Sequence, residues 1–122
     1  MPAFKFHKKK MRHLCEFDFN QHVLASAQPV LVHFWAPWCK LCRDIEPTLL
    51  KFREESHQPL KLVKINADEN LKLVNTYRLK ILPTVLLFSE GEVIHRLEGF
   101  PGRDELERML SGMVMSPVLT SA

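Results

Sequence analysis

A run of six mostly apolar residues that leads directly into a pair of cysteines constrains this chain more than any other feature. Residues 30–35 are β-branched, aromatic or apolar on both faces except at His33, which is typical of a central strand covered on both sides. Pro37 and Trp38 break this run. From Cys39 onward the apolar positions follow helical spacing. The pattern therefore predicts a buried strand that turns directly into a helix, with Cys-x-x-Cys at the turn.

Strand and helix patterns alternate along the rest of the chain. Asp18 can cap the first helix, and Pro47 should kink the helix that starts at Cys39. The expected strands are 11–16, 30–35, 60–65, 84–88 and 92–97. The expected helices are 18–27, one that starts at Cys39 and is ended by residues 56–59, one that starts from a turn at 66–70 and runs to about 78, and 103–113. This order predicts an α/β domain with a largely parallel sheet, helices on both faces and an antiparallel terminal hairpin.

Length and charge limit the domain organisation and the function. The 122 residues suit one domain, which we expect at 11–114, with a flexible basic arm at 1–10 and a loose tail at 115–122. Five of the 17 Lys and Arg residues lie in the first 13 positions, and the remaining 12 face 14 acidic residues. Such a nearly neutral body does not predict nucleic-acid binding, which needs a basic stripe.

Membrane and export signals are also weak. No apolar run approaches the ~18 residues of a membrane span. Residues 8–13 are basic or polar except for Met11, at the place where a signal peptide needs its apolar stretch. We therefore expect a cytoplasmic protein without a membrane partner.

Cys39 and Cys42 are the candidate reactive residues. Cys39 would lie at the helix N-terminus, where unpaired backbone N–H groups and the helix dipole favour a thiolate. Cys42 lies one turn later, faces the protein and is near enough to attack a mixed disulfide on Cys39. The spacing predicts a dithiol–disulfide couple in which Cys39 attacks and Cys42 resolves.

A metal site is the main chemical alternative to redox chemistry. Zinc or an iron–sulfur cluster needs about four ligands, and only Cys15 and His33 could add to the pair within one chain. We expect no metal within one chain, whereas a cluster shared across a dimer through two cysteine pairs stays open. Cys15 is expected to be an inert buried thiol.

Residues 35–42 match Trp-Ala-x-Trp-Cys-x-x-Cys, and here the chain resembles the thioredoxin family. The resemblance continues in register over about residues 11–113, in segments 30–34, 64–70, 82–84 and 88–92 and at Pro47 and Gly99. It implies a thioredoxin fold, with a central mixed β-sheet flanked by helices on both faces. It also implies a protein-disulfide oxidoreductase that needs no bound cofactor, acts on protein disulfides and receives electrons from a thioredoxin reductase or another thiol couple. We expect a monomer.

The resemblance also implies roles for residues outside the cysteine pair. Pro83 would follow a cis peptide bond and face the dithiol, while the backbone of Leu82 would pair with a substrate segment. A flat apolar substrate-binding surface around Cys39 would comprise Trp38, Leu82, Pro83, Gly99 and Phe100.

Three positions depart from the family pattern. Lys40 and Leu41 replace the usual Gly-Pro, and the added charge and looser turn predict a couple less reducing than a standard thioredoxin.

His33 stands where the family commonly has a buried Asp. A neutral imidazole could relay the Cys42 proton, a protonated one could stabilise its thiolate, and a third reading is a core histidine satisfied by backbone. Lys80 replaces a small Gly and should change which partners dock.

A binding or regulatory module is the competing function. Such a module would keep the fold and dock a partner through Trp38, Leu82 and Phe100, with weak or no turnover. Lys64 is expected to be a solvated strand residue, because the acid that accompanies such a lysine in the family is missing here.

Overall fold

The structure, a computed structural model, describes residues 11–114. The expected arm at 1–10 and tail at 115–122 lie outside the described residues and stay predictions. The described strands are β1 Arg12–His13, β2 Val30–Trp35, β3 Lys61–Asn66, β4 Thr84–Ser89 and β5 Glu92–Glu98. The described helices are α1 Glu16–Phe19, α2 Lys40–Asp44, α3 Glu46–Glu55, α4 Leu71–Thr76 and α5 Arg103–Val114, with a π-helical stretch at Asn20–Leu24 and a 3-10 turn at Ala67–Glu69.

The described strands form one mixed sheet in the order β1-β3-β2-β4-β5. β3 runs parallel to both β1 and β2, whereas β4 is antiparallel to β2 and to β5. The α/β fold with a mixed sheet is confirmed, but the sheet is less parallel than the element order predicted. At six residues, α4 is about 9 Å long and is too short to carry the chain back along a strand of about 20 Å.

Helices cover both faces of the sheet. Side chains alternate along the buried strand β2, so successive residues of β2 contact the helices on opposite faces. Leu31 belongs to a core cluster with Ile45, which joins α2 to α3, with Leu49 of α3 and with residues of α5. Val32 and its neighbours on the opposite face pack with Phe19 and other residues of the N-terminal helix. The prediction of a strand covered on both sides is therefore confirmed.

The first helix differs from its prediction. α1 begins at Glu16 and ends at Phe19, and the chain continues as a π-helical stretch to Leu24. Cys15, not Asp18, holds the N-cap position, and Asp18 instead accepts a hydrogen bond from the Cys15 thiol at 3.6 Å. The predicted start and cap are wrong because Asp18 lies inside the first turn.

The helix that starts at Cys39, which Pro47 was predicted to kink, is interrupted just before that proline. Helical geometry lapses at Ile45, where ψ is −9°, and α3 resumes with Pro47 in its first turn. Proline has no N–H to donate to a carbonyl four residues earlier, so a break just before it is expected. No helix in the described part of the chain is long and apolar enough to cross a membrane.

Candidate active site

Cys39 and Cys42 form a disulfide at the start of α2, with their Cα atoms 5.3 Å apart. Cys39 is the N-cap residue, and its sulfur accepts a hydrogen bond from the backbone N–H of Cys42 at 3.1 Å. The Cys39 sulfur therefore lies where helix N–H groups and the helix dipole favour negative charge. Once the disulfide is reduced, this position favours a thiolate on Cys39.

The two sulfurs differ in access. Cys39 is 6% exposed and Cys42 is fully buried. The pair is less exposed than a strand-to-helix turn suggested, because the Cys39 side chain folds back over the first helical turn to cap it. A partner molecule can reach Cys39 alone, which suits attack by Cys39 and resolution by Cys42.

Trp38 forms one wall of a groove beside the disulfide. The residue is 68% exposed, and its indole N–H donates to Asp68 at 2.9 Å, which holds the ring in place. The groove encloses about 440 Å³ and is lined by Trp38, Ala67, Asp68, Leu71, Val74, Leu79, Lys80, Ile81 and Leu82. Leu71 and Ile81 are large apolar side chains left in water here, and sequence reasoning did not find them.

The loop before β4 carries the other predicted substrate-binding residues. The peptide bond between Leu82 and Pro83 is cis, as the resemblance implied. Gly99 has a φ of +75°, a left-handed conformation that glycine adopts without strain. Phe100 is only 5% exposed and packs in the core with Leu31 and Ile45, so the structure excludes it from the predicted exposed surface.

His33 is fully buried, and neither ring nitrogen has a hydrogen-bond partner among residues 11–114. Burial lowers its pKa to about 3, with a smaller contribution from the positive charge of Lys64. The ring is therefore neutral at physiological pH while Cys39 and Cys42 are joined as a disulfide. No backbone group of the described residues hydrogen-bonds to the ring, which argues against a core histidine satisfied by backbone, whereas a role of His33 in relaying the Cys42 proton stays a prediction.

Lys64 is not the solvated strand residue that was expected. Its side chain is 14% exposed and donates to the Glu46 carboxylate at 2.7 Å. Its ammonium group also lies 4.4 Å from the centre of the Trp35 ring. The acid partner that seemed to be missing comes from α3, four residues after Cys42.

Lys40 contributes less charge at the disulfide than predicted. Its side chain extends into solvent and pairs with Asp44 one turn later at 2.9 Å. A solvent-exposed pair is screened by water and partly compensated.

Cys15 is a free and partly buried thiol that donates to Asp18. Within the described residues, no three His, Cys, Asp or Glu side chains converge closely enough to hold a metal ion.

Comparisons with known proteins agree with this geometry. The thioredoxin family model matches residues 10–112. Thioredoxin from Porphyra purpurea is 38% identical over 94 residues, which cover 77% of this chain and 88% of that protein. Thioredoxin 1 from Synechococcus elongatus is 38% identical over 81 residues, covering 66% of this chain and 76% of that protein. A bifunctional thioredoxin reductase/thioredoxin from Mycobacterium leprae is 35% identical over 97 residues, which are 80% of this chain and 21% of that protein.

Proposed function

The chain belongs to the thioredoxin family, and we propose that it reduces disulfides in protein segments that bind beside Cys39. It is a thiol-disulfide oxidoreductase, with Cys39 and Cys42 as its redox-active pair. One observation carries the proposal: the Cys39 sulfur caps α2 with the fully buried Cys42 directly behind it.

The reaction follows from the different positions of the two sulfurs. The Cys39 thiolate attacks one sulfur of a substrate disulfide, forms a mixed disulfide and releases the other substrate sulfur as a thiolate. Cys42 then loses its proton and attacks Cys39, which forms the Cys39–Cys42 bond and breaks the bond to the substrate. Two electrons pass to the substrate, whose two thiolates take up the two protons that the dithiol gives up.

The groove beside Trp38 indicates the kind of substrate. Its exposed apolar side chains fit an extended, partly apolar protein segment better than a small polar disulfide. Leu82 lines the same groove next to the cis bond, which supports a role for its backbone in aligning the segment. Trp38, Leu82, Pro83 and Gly99 are the proposed substrate-binding residues.

The proposed redox role is that of a reductase less reducing than a standard thioredoxin. Leu41 replaces the proline of the turn, and Lys40 adds a positive charge that Asp44 partly offsets. His33 would tune the pair or relay the Cys42 proton from its buried position opposite Lys64 in the sheet.

The proposed electron donor is a thioredoxin reductase. The similarity to a protein whose name joins both activities supports this link. We also propose a monomer in the cytoplasm, a reducing compartment in which the free thiol of Cys15 would persist.

An insulin-reduction assay with dithiothreitol tests the function. The wild type should accelerate insulin precipitation, Cys39→Ser should abolish the acceleration, and Cys15→Ser should serve as an unaffected control. Cys42→Ser, first reduced and then freed of dithiothreitol, should accumulate a covalent complex with insulin chains, because the chain then has no resolving thiol behind Cys39 to break the mixed disulfide. If the wild type is no faster than dithiothreitol alone and Cys42→Ser traps nothing, the chain is the competing binding module.

A further inference from the structure

The ion pair between Glu46 and Lys64 lies on the sheet face that carries the active-site helices. Leu31 pairs with Leu62 across β2 and β3, and both belong to the cluster that contains Ile45 and Leu49. Side chains two residues apart on a strand point to the same face. The pair two positions further along, His33 and Lys64, therefore also faces α2 and α3.

The ion pair is largely, though not fully, shielded from water. The Lys64 side chain is 14% exposed and that of Glu46 is 25% exposed. The indole ring of Trp35 lies against the ammonium group at 4.4 Å. Charges in such a site act on their neighbours more strongly than exposed charges, because little solvent screens them.

Glu46 and Cys42 lie one helical turn apart. Backbone hydrogen bonds from Ile45 to Leu41 and from Leu49 to Ile45 continue across the interruption, so α2 and α3 stack end to end. Residues four apart on a helix are neighbours on one side. Cys42 is fully buried, and Glu46 reaches Lys64 on the strand below, so both side chains point towards the sheet.

The other titratable groups around the pair come from neighbouring elements. His33 on β2 lies opposite Lys64 on β3. The ring centres of His13 on β1 and Trp35 on β2 are 5.7 Å apart. The pKa of His13 is lowered mainly by burial and further by Lys64, while Glu46 and Glu69 raise it. The two partners of the ion pair thus act on a nearby group with opposite signs.

We propose that Glu46 and Lys64 are positioning residues that set how readily Cys42 ionises, with Lys64 favouring and Glu46 opposing the thiolate. The inference rests on the proposed function, because Cys42 must lose its proton before it attacks Cys39. In this proposal, a carboxylate on α3 and a lysine on β3 together control the resolving step electrostatically.

Ionisation of Cys42 can be measured directly. The chain has three cysteines, so a background with Cys15→Ser and Cys39→Ser leaves Cys42 as the sole thiol. The ultraviolet absorbance of its thiolate then reports the pH at which half of Cys42 has ionised. This readout needs no turnover, so it separates a failure of the inference from a failure of the proposed reductase function.

Two nearly isosteric variants should shift this midpoint in opposite directions. Glu46→Gln leaves Lys64 uncompensated and should lower the midpoint, whereas Lys64→Met leaves Glu46 uncompensated and should raise it, each by about half a pH unit or more, or about threefold in the ionisation constant. The double variant should return close to the parent. A purely structural role of the pair cannot produce opposite signs.

The matched control breaks an ion pair away from the disulfide. Glu105→Gln removes the partner of Arg108 on the surface of α5 and should leave the midpoint of Cys42 unchanged. Equal midpoints for Glu46→Gln, Lys64→Met and the parent, or shifts of the same sign, would overturn the inference.

Discussion

Acid should weaken this fold through His33, and the size of the effect follows from its burial. The ring is neutral and fully buried in the folded chain, where burial lowers its pKa from 6.5 to about 3. In the unfolded chain the same ring takes up a proton as the pH falls below 6.5. Between these two values the unfolded state binds more protons, so stability is present above pH 6.5 and is lost as the pH falls towards 3.

The size of this loss in stability follows from the pKa values of His33 in the unfolded and folded chain. Linkage between 6.5 and about 3 gives a loss of about 2 kcal/mol in the free energy of unfolding when the pH falls from 7.5 to 5, and about 5 kcal/mol over the whole window. His33→Leu removes the titrating group and two unpartnered nitrogens while keeping an apolar side chain of similar size. This variant should therefore lose the His33 part of the pH dependence.

Urea unfolding followed by tryptophan fluorescence at several pH values measures this difference. The stability of His33→Leu relative to the wild type should rise by about 2 kcal/mol between pH 7.5 and pH 5. His57→Gln, a change at an exposed histidine, is the matched control and should follow the wild type. Parallel pH profiles for the wild type and His33→Leu would refute the account of a buried, neutral and unpartnered ring.

Three further predictions concern packing, substrate choice and redox poise. Leu49→Ala should lower the free energy of unfolding by about 2–5 kcal/mol in urea titrations, because Leu49 is fully buried between α3 and the sheet. Lys80→Glu should raise KM about threefold for disulfide peptides with acidic flanks and lower KM for peptides with basic flanks, because Lys80 lines the groove. The value of kcat should change little, and equal KM changes for both kinds of peptide would contradict this prediction. Replacing Lys40 and Leu41 by Gly and Pro should make the couple more reducing in equilibration with glutathione, and an unchanged equilibrium constant would show that the turn does not set the potential.

The strand and turn around the cysteine pair were predictable because local signals agree there. The apolar run of β2 gives way to helical spacing at Cys39, and a residue at that junction must cap the helix. Pro47 marks the interruption because it lacks an N–H. Each of these features depends on residues close together in the chain.

The features that were missed depend on contacts between distant segments. The Glu46–Lys64 pair joins residues 18 positions apart on a helix and a strand, and no local period reports such a contact. Phe100 follows a loop glycine, and only the packing of α5 against the sheet decides that its ring enters the core. The missing partners of His33 likewise depend on what surrounds it from both sides.

Single-turnover transfer of electrons to a protein disulfide tests the central claim most directly. The fully reduced chain is mixed with an equimolar protein disulfide, and both partners are followed by alkylation and intact mass spectrometry. The account predicts that each substrate disulfide lost is matched by one new bond between Cys39 and Cys42, with Cys15 left as a thiol. A substrate that stays oxidised beside a persistent dithiol, or that is reduced without formation of that bond, would contradict it.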